Sequence, residues 1–137
     1  MAALFNFEVH TPRRLFYNDK AEVVVITLAD GEKGIYANHS PFTAVTVTGI
    51  VHIKDSEGNW KSAFVTGGIL EVKEFKNVLM VDIAEWPEEI DKDSVLRARR
   101  EAEKTIKEEG NFRFEVDKAK EELHRAEFRL KLLAKDS

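Results

Sequence analysis

The sequence predicts a β plus α chain: an N-terminal antiparallel β-sandwich over residues 1–86, then a C-terminal antiparallel two-helix hairpin over residues 87–137. Three observations predict it. Before Trp86-Pro87, valine, isoleucine, threonine and phenylalanine dominate and apolar residues tend to alternate, which is the period of a strand. Turn signals separate these runs at the close spacing of a sandwich or barrel. After Pro87 the apolar period lengthens to that of a helix.

Leu4 to His10, Ala21 to Leu28, Ile50 to Lys54, Trp60 to Thr66, Ile69 to Lys73 and Val78 to Ile83 read as strands. The turn signals between them are Thr11-Pro12, Asn18-Asp19, Ala29-Asp-Gly31, Thr48-Gly49, Asp55 to Asn59, Gly67-Gly68 and Lys76-Asn77. Roughly 85 residues suffice for a core. Phe5, Phe7, Val24, Ile26, Ile35, Val45, Val47, Phe64 and Leu70 are its expected members. Val23 to Ile26 is an unbroken β-branched run, the pattern of a strand covered on both sides.

In the second half, Asp91 and Asp93 stand where an N-cap and a first-turn acid belong. Val95, Ala98, Ala102 and Ile106 form one stripe, and Glu109-Gly110-Asn111 stops the helix. A second helix is expected from about Phe112 to Ala134. Its apolar positions Phe112, Val116, Ala119, Leu123, Ala126, Leu130 and Leu133 alternate spacings of four and three, a heptad seam. The short connection makes the pair an antiparallel hairpin. Its alanine-rich seam supplies little core, so the hairpin is marginal alone and is expected to exchange between the sandwich and a partner. Phe114, Phe128 and Leu132 lie off the seam and are expected to be exposed in an isolated hairpin.

Composition excludes much chemistry. The chain has no cysteine, ruling out disulfides and thiolate sites, and a formal net charge of −4 does not suggest a nucleic-acid partner. His10, His39, His52 and His124 are not at metal-ligand spacings, and no metal is expected. No apolar run is long enough to cross a bilayer, and neither a signal peptide nor a transit peptide is evident at the N-terminus. A soluble intracellular protein is expected. Catalysis is not supported: His39 and Ser40 are adjacent, the wrong arrangement for a base and nucleophile, and there is no nucleophile elbow. Gly31-Glu-Lys-Gly34 lacks the ending of a phosphate loop and reads as a pair of turn glycines. His39-Ser-Pro41 reads either as a tight corner or as an exposed contact loop. Arg125 and Arg129 are four apart and share a helix face, with Arg97, Arg99 and Arg100 in the other helix. Two guanidinium forks on one face can hold a phosphate or an acidic segment, or remain a solvated basic surface.

Val9-His-Thr-Pro12, Gly31-Glu-Lys-Gly-Ile-Tyr-Ala-Asn-His-Ser-Pro41, Gly49-Ile-Val-His-Ile53, Thr66-Gly-Gly-Ile-Leu-Glu-Val72 and Val78-Leu-Met-Val81, in this order and followed by two helices, resemble the epsilon subunit of the F-type ATP synthase along nearly the whole chain. Ala37 and Asn38 stand where that family usually has Pro-Gly. In the tail, Ile90-Asp91 matches the start of the family's nucleotide motif, but Arg97-Ala98 comes two residues late. In the second copy, Phe114-Glu-Val-Asp-Lys-Ala119, Glu and Lys replace Asp and Arg. Arg125-Ala-Glu-Phe-Arg-Leu130 matches the closing motif.

The resemblance implies a non-catalytic subunit of the rotary central stalk in a proton- or sodium-translocating enzyme, without a cofactor. It implies the gamma subunit, the c-ring and the catalytic alpha and beta subunits as partners. Membrane contact would come only through the complex, at the cytoplasmic face of a bacterial membrane or in an organelle that encodes the gene. Glu32, His39, Ser40, Pro41 and Phe42 are the implied ring contact. Arg125 and Arg129 are the implied inhibitory contact with an acidic segment of the beta subunit. In an alternative reading the tail senses ATP as a regulatory ligand through Ile90, Asp91, Arg97, Arg125 and Arg129. A third reading is a stand-alone sandwich binding module that dimerises through its helices.

Overall fold

The computed structural model describes residues 3–108 and 110–136. Met1 and Ala2 of the N-terminal segment, Glu109 of the expected helix stop, and Ser137 lie outside the described residues. The chain divides into two units, Met1–Trp86 and Pro87–Ser137.

The first unit contains strands β1 (Phe5–His10), β2 (Leu15–Leu28), β3 (Gly31–Tyr36), β4 (Phe42–Val45), β5 (Gly49–Asp55), β6 (Trp60–Val65), β7 (Gly68–Val72), β8 (Lys76–Val81) and β9 (Ala84–Glu85). It is organised around β2, which runs for 14 residues and belongs to both layers. Its first half pairs with β1, and after a register shift between Ala21 and Val23 its second half pairs with β3 and β5. One layer is therefore β4-β7-β8-β1-β2 and the other β3-β2-β5-β6-β9. Pairing is antiparallel except between β1 and β8, which are parallel.

Between the layers lie Phe5, Phe7, Val9, Ile26, Ile53 and Leu70, each at most 1% exposed, at the centre of the larger apolar cluster. Alternation explains most of this, because side chains two apart on a strand share a face. Lys76-Asn77, expected as a turn, opens β8 paired with β1, and Val47, expected in the core, is only partly buried at the exit of β4. Two further expectations change. Asn18-Asp19 is not a turn: both residues pair with β1 inside β2, where the partner strand's ladder overrides their low strand preference. Val45 is not core. Ala44 takes the inward place opposite Leu70, which turns Val45 outward opposite Ile69, 73% exposed. Gly31-Glu-Lys-Gly34, read as turn glycines, opens β3, and Gly31 itself has φ 127° in the hairpin from β2.

Thr46, buried, donates its N–H to the Gly68 carbonyl (2.8 Å) and accepts the Gly68 N–H on Oγ1 (2.9 Å). Val47 N–H reaches across to the Thr27 carbonyl at 3.1 Å, tying the exit of β4 to the end of β2. A Cβ on Gly68 would collide with the Met80 carbonyl, so the Gly67-Gly68 pair marks a close approach of β7 to β8.

The second unit opens with a 3-10 turn at Pro87–Glu89, followed by α1 (Lys92–Lys107) and α2 (Arg113–Asp136), which pack on each other. Asp91 caps α1: its carboxylate accepts the Asp93 N–H at 3.2 Å and the Ser94 hydroxyl at 2.8 Å. After α1, Gly110 has φ 86° and the Asn111 amide donates to the Thr105 carbonyl at 3.0 Å, satisfying an orphan end of the helix. Val95 and Ala102 of α1 and Ala119 and Ala126 of α2 are buried. Ala98 is exposed, and Phe112 precedes α2 and is 77% exposed, so neither joins the seam as expected. Leu132, expected to be exposed, is 1% exposed, and Phe128 is half-buried. The reason is that α2 packs on the Pro87–Glu89 turn as well as on α1, which widens its buried arc beyond a heptad seam.

Candidate functional site

The registers of the first layer put Val45, Ile69, Met80, His10 and Leu15 directly opposite one another on β4, β7, β8, β1 and β2. Directly paired residues share a face, and the register shift between Val9 and His10 brings exposed Leu15 opposite His10 instead of Phe16, so these five form one row on the outer surface. Five strands at roughly 4.8 Å spacing make the row about 20 Å long. Ile69, Met80 and Leu15 are 45%, 42% and 50% exposed, and Val45 more so. The neighbouring row is Thr43, Glu71, Val78, Glu8 and Asn18, mostly polar. An apolar row broken only by His10, beside a mostly polar one, is the pattern of an interaction surface rather than of scattered exposed residues. Sequence reading missed it by placing Val45 in the core. Assigning Leu70 to the core already sends its neighbour Ile69 outward, and that was the available signal.

His10 is the one titratable member of the ladder among the described residues. Its Nε2 hydrogen-bonds to Glu8 Oε1 at 2.7 Å. The other Glu8 oxygen lies 3.1 Å from Lys76 Nζ and accepts the Asn6 amide at 3.1 Å. The His10 hydrogen bond, then that of Lys76, holds the Glu8 carboxyl below its ordinary value.

The expected ring-contact residues occupy two faces. His39 and Phe42 come together, with ring centroids 5.0 Å apart, and Lys33 Nζ lies 4.5 Å from the Phe42 centroid. His39 Nδ1 is 3.0 Å from the Ser40 carbonyl. Ser40 and Pro41 are exposed, while Phe42 packs against the sandwich core. Asn38 takes the left-handed φ of 63° at the position where the family usually has glycine, a conformation that asparagine tolerates. Glu32 does not join this corner. It lies 3.9 Å from Nε2 of His52, whose Nδ1 is hydrogen-bonded to Ser62 Oγ at 2.8 Å.

In the helices, Arg97 Nη2 donates to Ser94 Oγ at 3.1 Å, and Ser94 in turn donates to Asp91. The Ser94 hydrogen bond is the largest cause holding the Asp91 carboxyl below its ordinary value. Asp91 and Arg97 are thus joined through Ser94 along α1, and Ile90 is half-buried beside them with its N–H on the Pro87 carbonyl at 3.1 Å. Arg125 lies along α2 with its Nε 3.2 Å from Glu121 Oε1. Arg129, one turn further, is half-buried. Among the described residues no group of three or more histidine or acidic side chains is placed to hold a metal ion, and no helix is long and apolar enough to cross a membrane.

Two family models match the chain: the ATP synthase Delta/Epsilon chain beta-sandwich domain over residues 4–87 and its long alpha-helix domain over residues 88–134. The ATP synthase epsilon chain of Caldicellulosiruptor bescii is 42% identical over 130 residues, covering 95% of this chain and 93% of that one. That of Caldanaerobacter subterraneus is 36% identical over 136 residues, covering 98% and 97%. In fold, the chain is similar to one in the cryo-EM structure of the Euglena gracilis mitochondrial ATP synthase OSCP/F1/c-ring (TM-score 0.72, 17% identity, covering 98% of this chain and 79% of that one). It is also similar to one in the Tetrahymena thermophila mitochondrial ATP synthase central stalk/c-ring (TM-score 0.59, 15% identity, 96% and 98%). With both domains matched in order and relatives aligned end to end, the chain belongs to the ATP synthase Delta/Epsilon family, as a non-catalytic epsilon subunit of the F-type ATP synthase.

Proposed function

We propose that the sandwich docks on the gamma subunit through the Val45–Ile69–Met80–His10–Leu15 ladder and meets the c-ring through Glu32 and the His39–Phe42 corner. In this arrangement the subunit couples ring rotation to the catalytic alpha and beta subunits. It sits peripherally at the membrane surface, held there by the complex, whether the ring carries protons or sodium. The helical hairpin restrains ATP hydrolysis, with Arg125 and Arg129 meeting an acidic segment of the beta subunit.

The observation that carries this reading is the ladder. Four aliphatic side chains, about half exposed, stand in register on a sheet face that is otherwise mostly polar. Full burial of such a side chain is worth ~1.5–3 kcal/mol, so covering half of each contributes roughly 1 kcal/mol apiece before the cost of association. That does not by itself outweigh an association cost of about 4–15 kcal/mol, so the ladder is the apolar part of a larger contact, and a charge within it would be costly to bury.

The test is reconstitution. ATP synthase core stripped of this subunit is mixed with the full chain or with Ile69→Asp, and both binding and hydrolysis are followed. Binding of the full chain, weakened at least tenfold by Ile69→Asp, is expected. Equal binding by both proteins would move the gamma contact to another face.

A further inference from the structure

We infer that His10 makes the docking ladder proton-sensitive, so that the sandwich binds its stalk partner with a neutral imidazole and is weakened when that imidazole gains a proton. This rests on the docking reading above, and it adds a regulation of that surface. His10 is the fourth of the five residues in the row, between Met80 on β8 and Leu15 on β2. Its side chain is 42% exposed, so a partner laid along the ladder covers it.

The charge balance follows from the groups around it. On its own strand Glu8 accepts the Nε2–H, which leaves Nδ1 as the unprotonated nitrogen of the neutral ring. From β8, Lys76 already meets the same carboxylate. Beyond Met80, Asp82 follows the end of β8 and is exposed. From β2, Leu15 faces His10, with Asn18 and Lys20 in the next rows. In the turn before β2, Arg13 is exposed, while Arg14 lies over the Phe16 ring at 5.0 Å and donates to the Ala84 carbonyl at 3.3 Å. Glu71 stands in the neighbouring row on β7. Glu8 and Lys76 therefore cancel while His10 is neutral.

A proton on Nδ1 adds an unbalanced positive charge and a new N–H donor to an otherwise apolar row. Covering that row strips both of water, and the carboxylate nearest to them is shared with Lys76. The neutral ring, with one N–H already placed on Glu8, carries no such cost. Docking therefore disfavours proton uptake, and by linkage proton uptake disfavours docking. A one-unit lowering of the imidazole's proton affinity on docking corresponds to a tenfold weaker Kd once the ring is fully protonated.

The experiment measures Kd of the full chain for stripped ATP synthase core across the histidine range, from about pH 8 to about pH 5.5, for the native chain, His10→Gln, His10→Lys and Ile69→Asp. The expected result is a Kd that rises about tenfold on acidification in the native chain, a flat profile for His10→Gln, and weak, pH-independent binding by His10→Lys. Parallel profiles for the native chain and His10→Gln would overturn the proton sensitivity while leaving the docking surface in place. Ile69→Asp binding as tightly as the native chain would overturn the docking surface and the inference with it.

Discussion

Glu32 and Lys33 are adjacent in β3 yet serve opposite faces: the Glu32 carboxylate lies 3.9 Å from His52 Nε2, while Lys33 Nζ lies 4.5 Å from the centroid of Phe42. The two charges that lead into the expected ring contact are therefore separable. Lys33→Met removes a cation–π contact worth about 0.5–1 kcal/mol at an exposed site and loosens the His39–Phe42 corner. Glu32→Gln leaves that corner in place. In reconstituted enzyme, the lysine variant should show a small loss of thermal stability and altered coupling of hydrolysis to pumping. The glutamine variant should keep its melting temperature, so any loss of coupling it shows reports on ring contact alone.

Asn38 holds the corner in a left-handed conformation with φ 63°. Most L-residues pay about 1–2 kcal/mol there, and glycine pays nothing sterically. Asn38→Ala should lower the melting temperature by several degrees, and Asn38→Gly should leave it close to native. Equal melting temperatures for the two variants, measured by circular dichroism, would show that the corner relaxes to another backbone conformation.

The Tyr17 hydroxyl is buried without a hydrogen-bond partner among the described residues. Its burial, with Asp19 and Asp55 nearby, raises the phenol above its ordinary value of 10.0. A raised value means the folded state keeps its proton while the unfolded chain loses it. This contribution to stability is therefore intact below pH 10.0 and falls as the solution becomes more alkaline. Tyr17→Phe removes an unsatisfied buried group and should stabilise the sandwich by about 1 kcal/mol. It should also flatten the alkaline limb of a denaturation profile.

Glu8 answers at the other end of the pH scale. Its carboxyl is held below the ordinary value of 4.5 by His10 and Lys76, so its contribution to stability is present above that value. The contribution is lost as pH falls through the lower, folded-state value. Glu8→Gln should be less stable than the native chain at neutral pH, and the gap should close on acidification below pH 4.5. A gap that persists in acid would assign the difference to packing rather than to charge.

Arg125→Ala with Arg129→Ala tests the brake. The two residues lie one turn apart on α2, outside the sandwich unit, so the double variant should assemble normally and release ATP hydrolysis from restraint. Inhibition at the native level in that variant would clear these two residues of the role.

The division at Trp86-Pro87 was readable because the apolar period changes there from two to three or four, and Asp91 was readable as a cap because a short acid before a periodic run has few other uses. What sequence could not give was phase. Val45 and Ala44 are both plausible core residues, and only the pairing of β4 with β7 decides that alanine goes in. The ladder as a whole was not legible for the same reason: alternation from Leu70 turns Ile69 outward, but the row's members come from five strands and meet only through register. Glu32 and the His39–Phe42 corner were given as ring contacts by the resemblance alone, and their surroundings, His52 for the one and Lys33 for the other, were not legible before the strands were paired.

The 14 residues of β2 have one further consequence. A sandwich whose layers were joined only by loops would let them slide past each other when one is pushed. Here a single covalent strand crosses from one layer to the other, hydrogen-bonded to β1 in its first half and to β3 and β5 in its second. A load delivered at the ladder reaches the β2–β3 tip as shear across rows of backbone hydrogen bonds, which must fail together rather than one after another. For a subunit that turns with the ring, as proposed above, that is the difference between a gear tooth and a hinge.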